Sequence, residues 1–142
     1  MFVETILRTK GGNVHTLSEA ATLADAVAAL KSHNIGALVV TDAAGALSGI
    51  LSERDIVRHL GTDPATTLAL PVTACMSRDP VTCTSSTSVA EIMESMTRHR
   101  VRHVPVIDGG TMVGIVSIGD VVKSKIEEVE QEAEAMRDYI AG

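Results

Sequence analysis

The stretch Gly49-Ile-Leu-Ser-Glu-Arg-Asp-Ile-Val57 is written a second time as Gly114-Ile-Val-Ser-Ile-Gly-Asp-Val-Val122. Both copies read Gly-Ile-aliphatic-Ser-x-x-Asp-aliphatic-Val. The likeness extends outward from this phrase. Displacing the chain by 66 residues lays Thr16 on Thr82, Ala24 on Ala90, His33 on His99, Val40 on Val106 and Asp42 on Asp108. After one deletion near Gly45 the offset is 65, and Gly49 meets Gly114, Ser52 meets Ser117 and Asp55 meets Asp120. A preamble repeats as well: Val3-Glu-Thr-Ile-Leu7 resembles Val72-Thr-Ala-Cys-Met76. Most other paired positions exchange residues within one class, such as Leu23 for Val89 and Leu30 for Met96. A repeat this long is a duplicated folding unit, and two units are too few for a solenoid. The expectation is one pseudo-symmetric body.

Each repeat has the same internal grammar. A short extended piece, Val14–Thr16 or Val81-Thr82, leads to a polar turn. Thr22-x-x-Asp25 and Ser88-x-x-Glu91 then have the spacing of a capping box and open a helix. Apolar residues at Leu23, Val27 and Leu30, and at Val89, Met93 and Met96, predict one buried helical face running to about His33 or His99. An aliphatic strand follows ("ALVVT" or "HVPVI"), then a turn ("DAAG" or "DGG") whose Asp and Gly tolerate turn angles. A second strand ("LSGIL" or "MVGIV") runs into a second helix. The order is strand, helix, strand, strand, helix. The class is α/β (α+β), with a first repeat over residues 1–62, a second over 63–126 and a helical extension over 127–142. Residues 61–77, with Pro64 and Pro71, read as the linker.

The repeated phrase falls where the last strand of each repeat becomes its last helix. Ser52 and Ser117 stand at the helix N-cap, with Asp55 and Asp120 three positions on. One reading is a capping box with Asp in place of Glu. The other uses the same geometry for a ligand. The N-terminal N–H groups and a serine hydroxyl suit a phosphate, and a carboxylate one turn in accepts two hydrogen bonds from a ribose diol. The two are compatible, since a ligand can recruit a cap.

Composition narrows the function. The chain is 45% hydrophobic and 1% aromatic, so its core and any pocket are aliphatic. A formal net charge of −6 argues against general nucleic-acid binding, which needs a dominant basic surface. There is no apolar run of the length a membrane span needs, and the N-terminus lacks the apolar core of a signal peptide. Cys75 and Cys83 lack metal-like spacing and read as reduced thiols of a cytoplasmic protein. The five histidines make no H-E-x-x-H, and there is no G-x-S-x-G elbow and no P-loop. No catalytic residue, no metal ligand and no enzyme activity are predicted.

The duplicated strand-helix-strand-strand-helix pattern, closed each time by G-h-h-S-x-x-D-h-h and carrying Val104-Pro105-Val106-Ile107-Asp108 in its second copy, resembles a tandem pair of CBS domains. The resemblance covers about residues 1–126. It implies two sheets packed on each other as a disc-like module, with two related clefts that bind adenosine nucleotides. The ligand it implies first is AMP, then ADP, ATP, NAD or S-adenosylmethionine. It also implies a stand-alone sensor that regulates a partner protein, not itself identified. By the same resemblance Asp55 and Asp120 hold ribose hydroxyls, and Ser52 and Ser117 contact ribose or phosphate. Thr16 and Thr82 help line the adenine end. The segments around Gly36-Ala37 and around Arg102-His103, continuing into Val104 and Pro105, flank base and phosphate.

The repeats are not equivalent. The second is basic at Arg98, His99, Arg100, Arg102 and His103, where the first has Ser32, His33, Asn34, Gly36 and Ala37. Arg102 and His103 read as phosphate contacts, and Arg98 and Arg100 as a solvated helix end. Arg54 is a further phosphate candidate whose counterpart, Gly119, has no side chain for that role. Beyond the repeats, Val122, Ile126, Val129, Ala133, Met136 and Ile140 are spaced 4-3-4-3-4, a coiled-coil-like seam. The seam packs either on its own domain or on another subunit. A homodimer is expected. The alternative function is a ligand-free interaction or dimerisation module acting through this helix.

Overall fold

The computed structural model describes residues 1–141. In chain order the elements are α1 (Val3–Lys10), β1 (Thr16–Ser18), α2 (Leu23–His33), β2 (Ala37–Thr41), β3 (Leu47–Ser52), α3 (Glu53–His59), α4 (Pro64–Leu68), a single 3₁₀ turn (Val72–Ala74), β4 (Ser77–Arg78), α5 (Val89–His99), β5 (His103–Asp108), β6 (Thr111–Ser117) and α6 (Ile118–Ala141). The fold is mixed α/β, as expected. The chain divides into two compact units: Val14–Pro80, and Met1–Asn13 together with the chain from Val81 onward.

The unit Val14–Pro80 is built on a four-stranded sheet in the order β1-β2-β3-β4. β1 runs parallel to β2, and the β2–β3 and β3–β4 pairs are antiparallel. α2 begins where the capping box predicts. Thr22 Oγ1 accepts from Asp25 N–H (3.2 Å), and Asp25 Oδ2 accepts from Thr22 N–H (2.9 Å). It ends at Asn34, whose left-handed backbone (φ 52°) stops the helix, a role Asn tolerates well. The core holds Leu23, Ala26, Leu30, Leu38, Val40, Leu51 and Ile56. Val27, expected inside, is 40% exposed. The small Ala26 is the side chain that turns inward.

The second unit repeats this plan with substitutions in kind. α5 opens on the Ser88–Glu91 capping box and ends at Arg100, again left-handed (φ 55°). β5 and β6 form an antiparallel pair whose bulge between Val106 and Ile107 matches the one between Val40 and Thr41. The expected first strand at Val81-Thr82 is reduced to one parallel bridge, Cys83 to Val106. The core is Val3, Ile6, Val89, Ile92, Met96, Val104, Val106, Val116 and Val121. Met93, expected on the buried face, is only partly buried against it. Full burial of side chains of this size contributes roughly 1.5–3 kcal/mol each.

Residues 61–77 are not a plain linker. Asp63 caps α4 through Thr66, and Ser77 pairs with Ile50 at the sheet edge. Val72, Cys75 and Met76, the preamble of the second repeat, complete the core of the unit that holds the first repeat. Conversely Val3 and Ile6, the preamble of the first repeat, lie in the core of the other unit. The exchange is matched bond for bond. Val72 N–H donates to Ala21 O (2.9 Å) as Val3 N–H donates to Thr87 O (2.9 Å). Leu23 N–H donates to Leu70 O as Val89 N–H donates to Met1 O, both at 2.9 Å.

α6 has 24 residues, and within it only Val121 and Ser124 are buried. Ile126, Val129, Met136, Tyr139 and Ile140 are 50–86% exposed.

Candidate functional site: two matched Ser-x-x-Asp corners

In the first corner, β3 delivers Ser52 to the start of α3. Ala37 at the head of β2 is the register partner of Ser52. Glu53 N–H donates to Gly36 O (3.0 Å), which ties the loop before β2 to the first turn of α3. Asp55 Oδ2 accepts from Ser52 N–H (2.9 Å) and from Ser52 Oγ (3.0 Å), while Ser52 Oγ accepts from Asp55 N–H (3.2 Å). Gly36, Ala37, Ser52 and Asp55 therefore meet at one strand-to-helix junction. Thr16 opens the neighbouring strand β1, paired with Val39. Arg54 is exposed on the first turn of α3.

The second corner copies the first. His103 is the register partner of Ser117, and Ile118 N–H donates to Arg102 O (2.8 Å). Ser117 N–H donates to Asp120 Oδ2 (2.9 Å), and Asp120 N–H donates to Ser117 Oγ (3.2 Å). Arg102, His103, Ser117 and Asp120 are thus brought together, with the Arg102 side chain exposed. Thr82 directly precedes Cys83, whose N–H donates to Pro105 O (3.0 Å). Val104 and Pro105 are both buried, so neither is presented at the surface of the corner. The capping reading of the phrase holds in both copies. A capped carboxylate still has acceptor capacity, since two oxygens offer about four acceptor sites.

One residue separates the corners, and sequence reasoning missed it. Lys10, the last residue of α1, donates from Nζ to Asp120 Oδ2 (2.6 Å) and to Ile115 O (2.8 Å). Burial pushes the Asp120 carboxyl up. The Lys10 hydrogen bond, the Ser117 N–H, the Lys10 charge and the Ser117 hydroxyl outweigh it and hold the group below the usual range. Carrying the preamble alignment forward from Val3 on Val72 sets Lys10 on Asp79, so Asp55 is offered no matching cation. That continued register was the available signal.

Other titratable groups are less suggestive. Burial, aided by Asp108, pushes the half-buried Cys83 thiol up to about 11. Burial and the Asp55 charge raise Cys75. His15 and His33 stack with ring centroids 3.8 Å apart, fixing the segment before Thr16 to the end of α2. Among the described residues there is no group of three or more His, Cys, Asp or Glu arranged to hold a metal ion. None of the described helices is long and apolar enough to cross a membrane.

The CBS domain model matches residues 3–62 and 72–127. A mitochondrial CBS domain-containing protein of Arabidopsis thaliana is 38% identical over 125 residues, which cover 85% of this chain and 61% of that protein. This chain thus spans less than two thirds of that relative's length. A CBS-domain containing protein from Agrobacterium tumefaciens superimposes with a TM-score of 0.85 at 41% identity, covering 88% of this chain and 99% of the other. The CBS domain pair of protein MJ0100, solved in complex with 5′-methylthioadenosine and S-adenosyl-L-methionine, superimposes with a TM-score of 0.78 at 25% identity, covering 90% of this chain and 98% of the other. With both repeats matched and the two Ser-x-x-Asp corners built alike, this chain belongs to the CBS domain family and carries a pair of CBS domains, a regulatory module.

Proposed function

We propose that this CBS pair senses an adenosine nucleotide at its Ser-x-x-Asp corners and passes the signal to a partner protein. AMP is the first candidate, with ADP, ATP and NAD as alternatives. The observation that carries the reading is the plan that the two corners share. Each presents a carboxylate, Asp55 or Asp120, locked by its own cap beside the head of a strand. A carboxylate held this way accepts hydrogen bonds from a diol without first losing side-chain freedom. Arg54 in one unit and Arg102 in the other are exposed beside their corners, where they suit phosphate. The adenosine compounds bound by the MJ0100 pair support the ligand class.

The test is calorimetric titration with AMP, ATP, NAD and 5′-methylthioadenosine, preceded by mass spectrometry of whatever the purified protein releases on denaturation. Asp55→Ala and Asp120→Ala each remove a charge-assisted acceptor worth roughly 1.5–3 kcal/mol, or about 10- to 150-fold in affinity at one site. Unchanged affinity in both variants returns the phrase to helix capping alone.

A second reading rests on α6. Its exposed stripe, Ile126, Val129, Met136 and Ile140, is a surface for another subunit, and a homodimer through this helix is compatible with either function.

A further inference from the structure

We infer that Lys10 is a built-in competitor at the Asp120 corner, so that an adenosine ligand engages Asp120 Oδ2 there only by displacing it and the Asp55 corner fills first. The inference rests on the adenosine reading above. Lys10 does not reach Asp120 by chance of a floppy side chain. α1 is anchored by Val3 and Ile6, both buried, and by Val3 N–H to Thr87 O and Glu4 N–H to Ser85 O. The helix therefore delivers its last residue to the corner, where Ile115 O takes a second hydrogen bond from the same ammonium.

The two aspartates then offer a ligand different acceptors. At Asp120, Oδ2 receives the Ser117 N–H and the Lys10 ammonium. At Asp55, Oδ2 receives the Ser52 N–H and the Ser52 hydroxyl. A neutral hydroxyl rotates toward an arriving ribose at little cost. Both bonds reach an ionised carboxylate, but the Lys10 bond joins two full charges and is braced by the second bond to Ile115 O, so it must be broken or lengthened. Space for the displaced ammonium exists. An open cavity of about 200 Å³ is lined by Thr9, Lys10, Asp120, Lys123 and Glu127, and Glu127 supplies an alternative carboxylate.

The experiment titrates 5′-methylthioadenosine, which carries no phosphate for Lys10 to attract, into full-length variants by calorimetry. In an Asp55→Ala background, Lys10→Gln and Lys10→Met are expected to tighten binding by about 5-fold, with Lys10→Arg restoring the weaker value. In an Asp120→Ala background the same changes are expected to do nothing. Circular dichroism melts of Lys10→Gln and Lys10→Met establish that the fold is kept. Unchanged or weaker binding for both in the Asp55→Ala background overturns the inference while leaving the adenosine reading intact. Absence of binding in the parent protein and every variant removes the adenosine reading, and this inference with it.

Discussion

Leu7 occupies the space that a side chain on Gly114 would need: its Cδ2 lies 2.6 Å from the ideal Cβ position. The matching contact in the other unit is Met76 on Gly49, with Sδ at 2.8 Å, and there Ser77 O also stands at 2.6 Å. The glycine that opens each copy of the repeated phrase is therefore explained by the exchanged preamble.

The two glycines are predicted to differ in tolerance. The flexible end of Leu7 can retreat from an added methyl, whereas the Ser77 carbonyl is main chain in the β3–β4 pair. Gly114→Ala is expected to cost about 1 kcal/mol and Gly49→Ala about 2–3 kcal/mol, within the range for overpacking. Urea unfolding followed by far-ultraviolet circular dichroism measures both, and equal costs would contradict the assignment.

The Lys10–Asp120 pair predicts a pH dependence of stability. Asp120 in the folded protein titrates below its ordinary value of 3.8. Its stabilisation is therefore complete above about pH 4 to 5 and is lost as pH falls through the depressed value. Both partners are partly exposed, so the pair is worth on the order of 1 kcal/mol. The stability gap between the parent and Asp120→Asn should be constant near neutrality and close in acid, which denaturant titrations at stepped pH read directly.

Arg102 is expected to act on phosphate and not on adenosine. Arg102→Ala should weaken AMP and ATP by up to about 5-fold, as for an exposed ion pair, and should flatten the salt dependence of their binding. Binding of 5′-methylthioadenosine should not change. Equal loss for all three ligands would mean that the Arg102 side chain supports the corner as a whole and not the phosphate, since its main-chain carbonyl bond to Ile118 is kept in the variant.

Deleting residues 127–142 should weaken self-association without unfolding either unit, because the buried residues of α6, Val121 and Ser124, precede the cut. Light scattering at micromolar concentration compares the two chains. A monomeric full-length protein would reserve the α6 stripe for a different partner.

What was legible beforehand is what neighbours in sequence decide. A capping box closes between residues three apart, so Thr22–Asp25, Ser52–Asp55, Ser88–Glu91 and Ser117–Asp120 were readable as helix starts. Two helix lengths and the two corners followed from them. The duplication itself was also plain, since it compares the chain only with itself. The resemblance to the CBS family came from the same residues.

Tertiary structure decided the rest. Periodicity put Val27 on the buried face with Leu23 and Leu30, yet Val27 is 40% exposed and Ala26 is buried in its place. The preambles looked like leaders of their own repeats, yet each completes the core of the other unit. An apolar pattern states that a face is buried but not against which partner. Lys10 and Asp120 are 110 residues apart, and no local rule links an ammonium to a carboxylate at that separation. Sequence by itself determined where this chain makes its two corners, because those depend on hydrogen bonds within a single helical turn. Only the packing of α1 decided that Lys10 reaches the Asp120 corner, because that contact exists only once the chain has closed on itself.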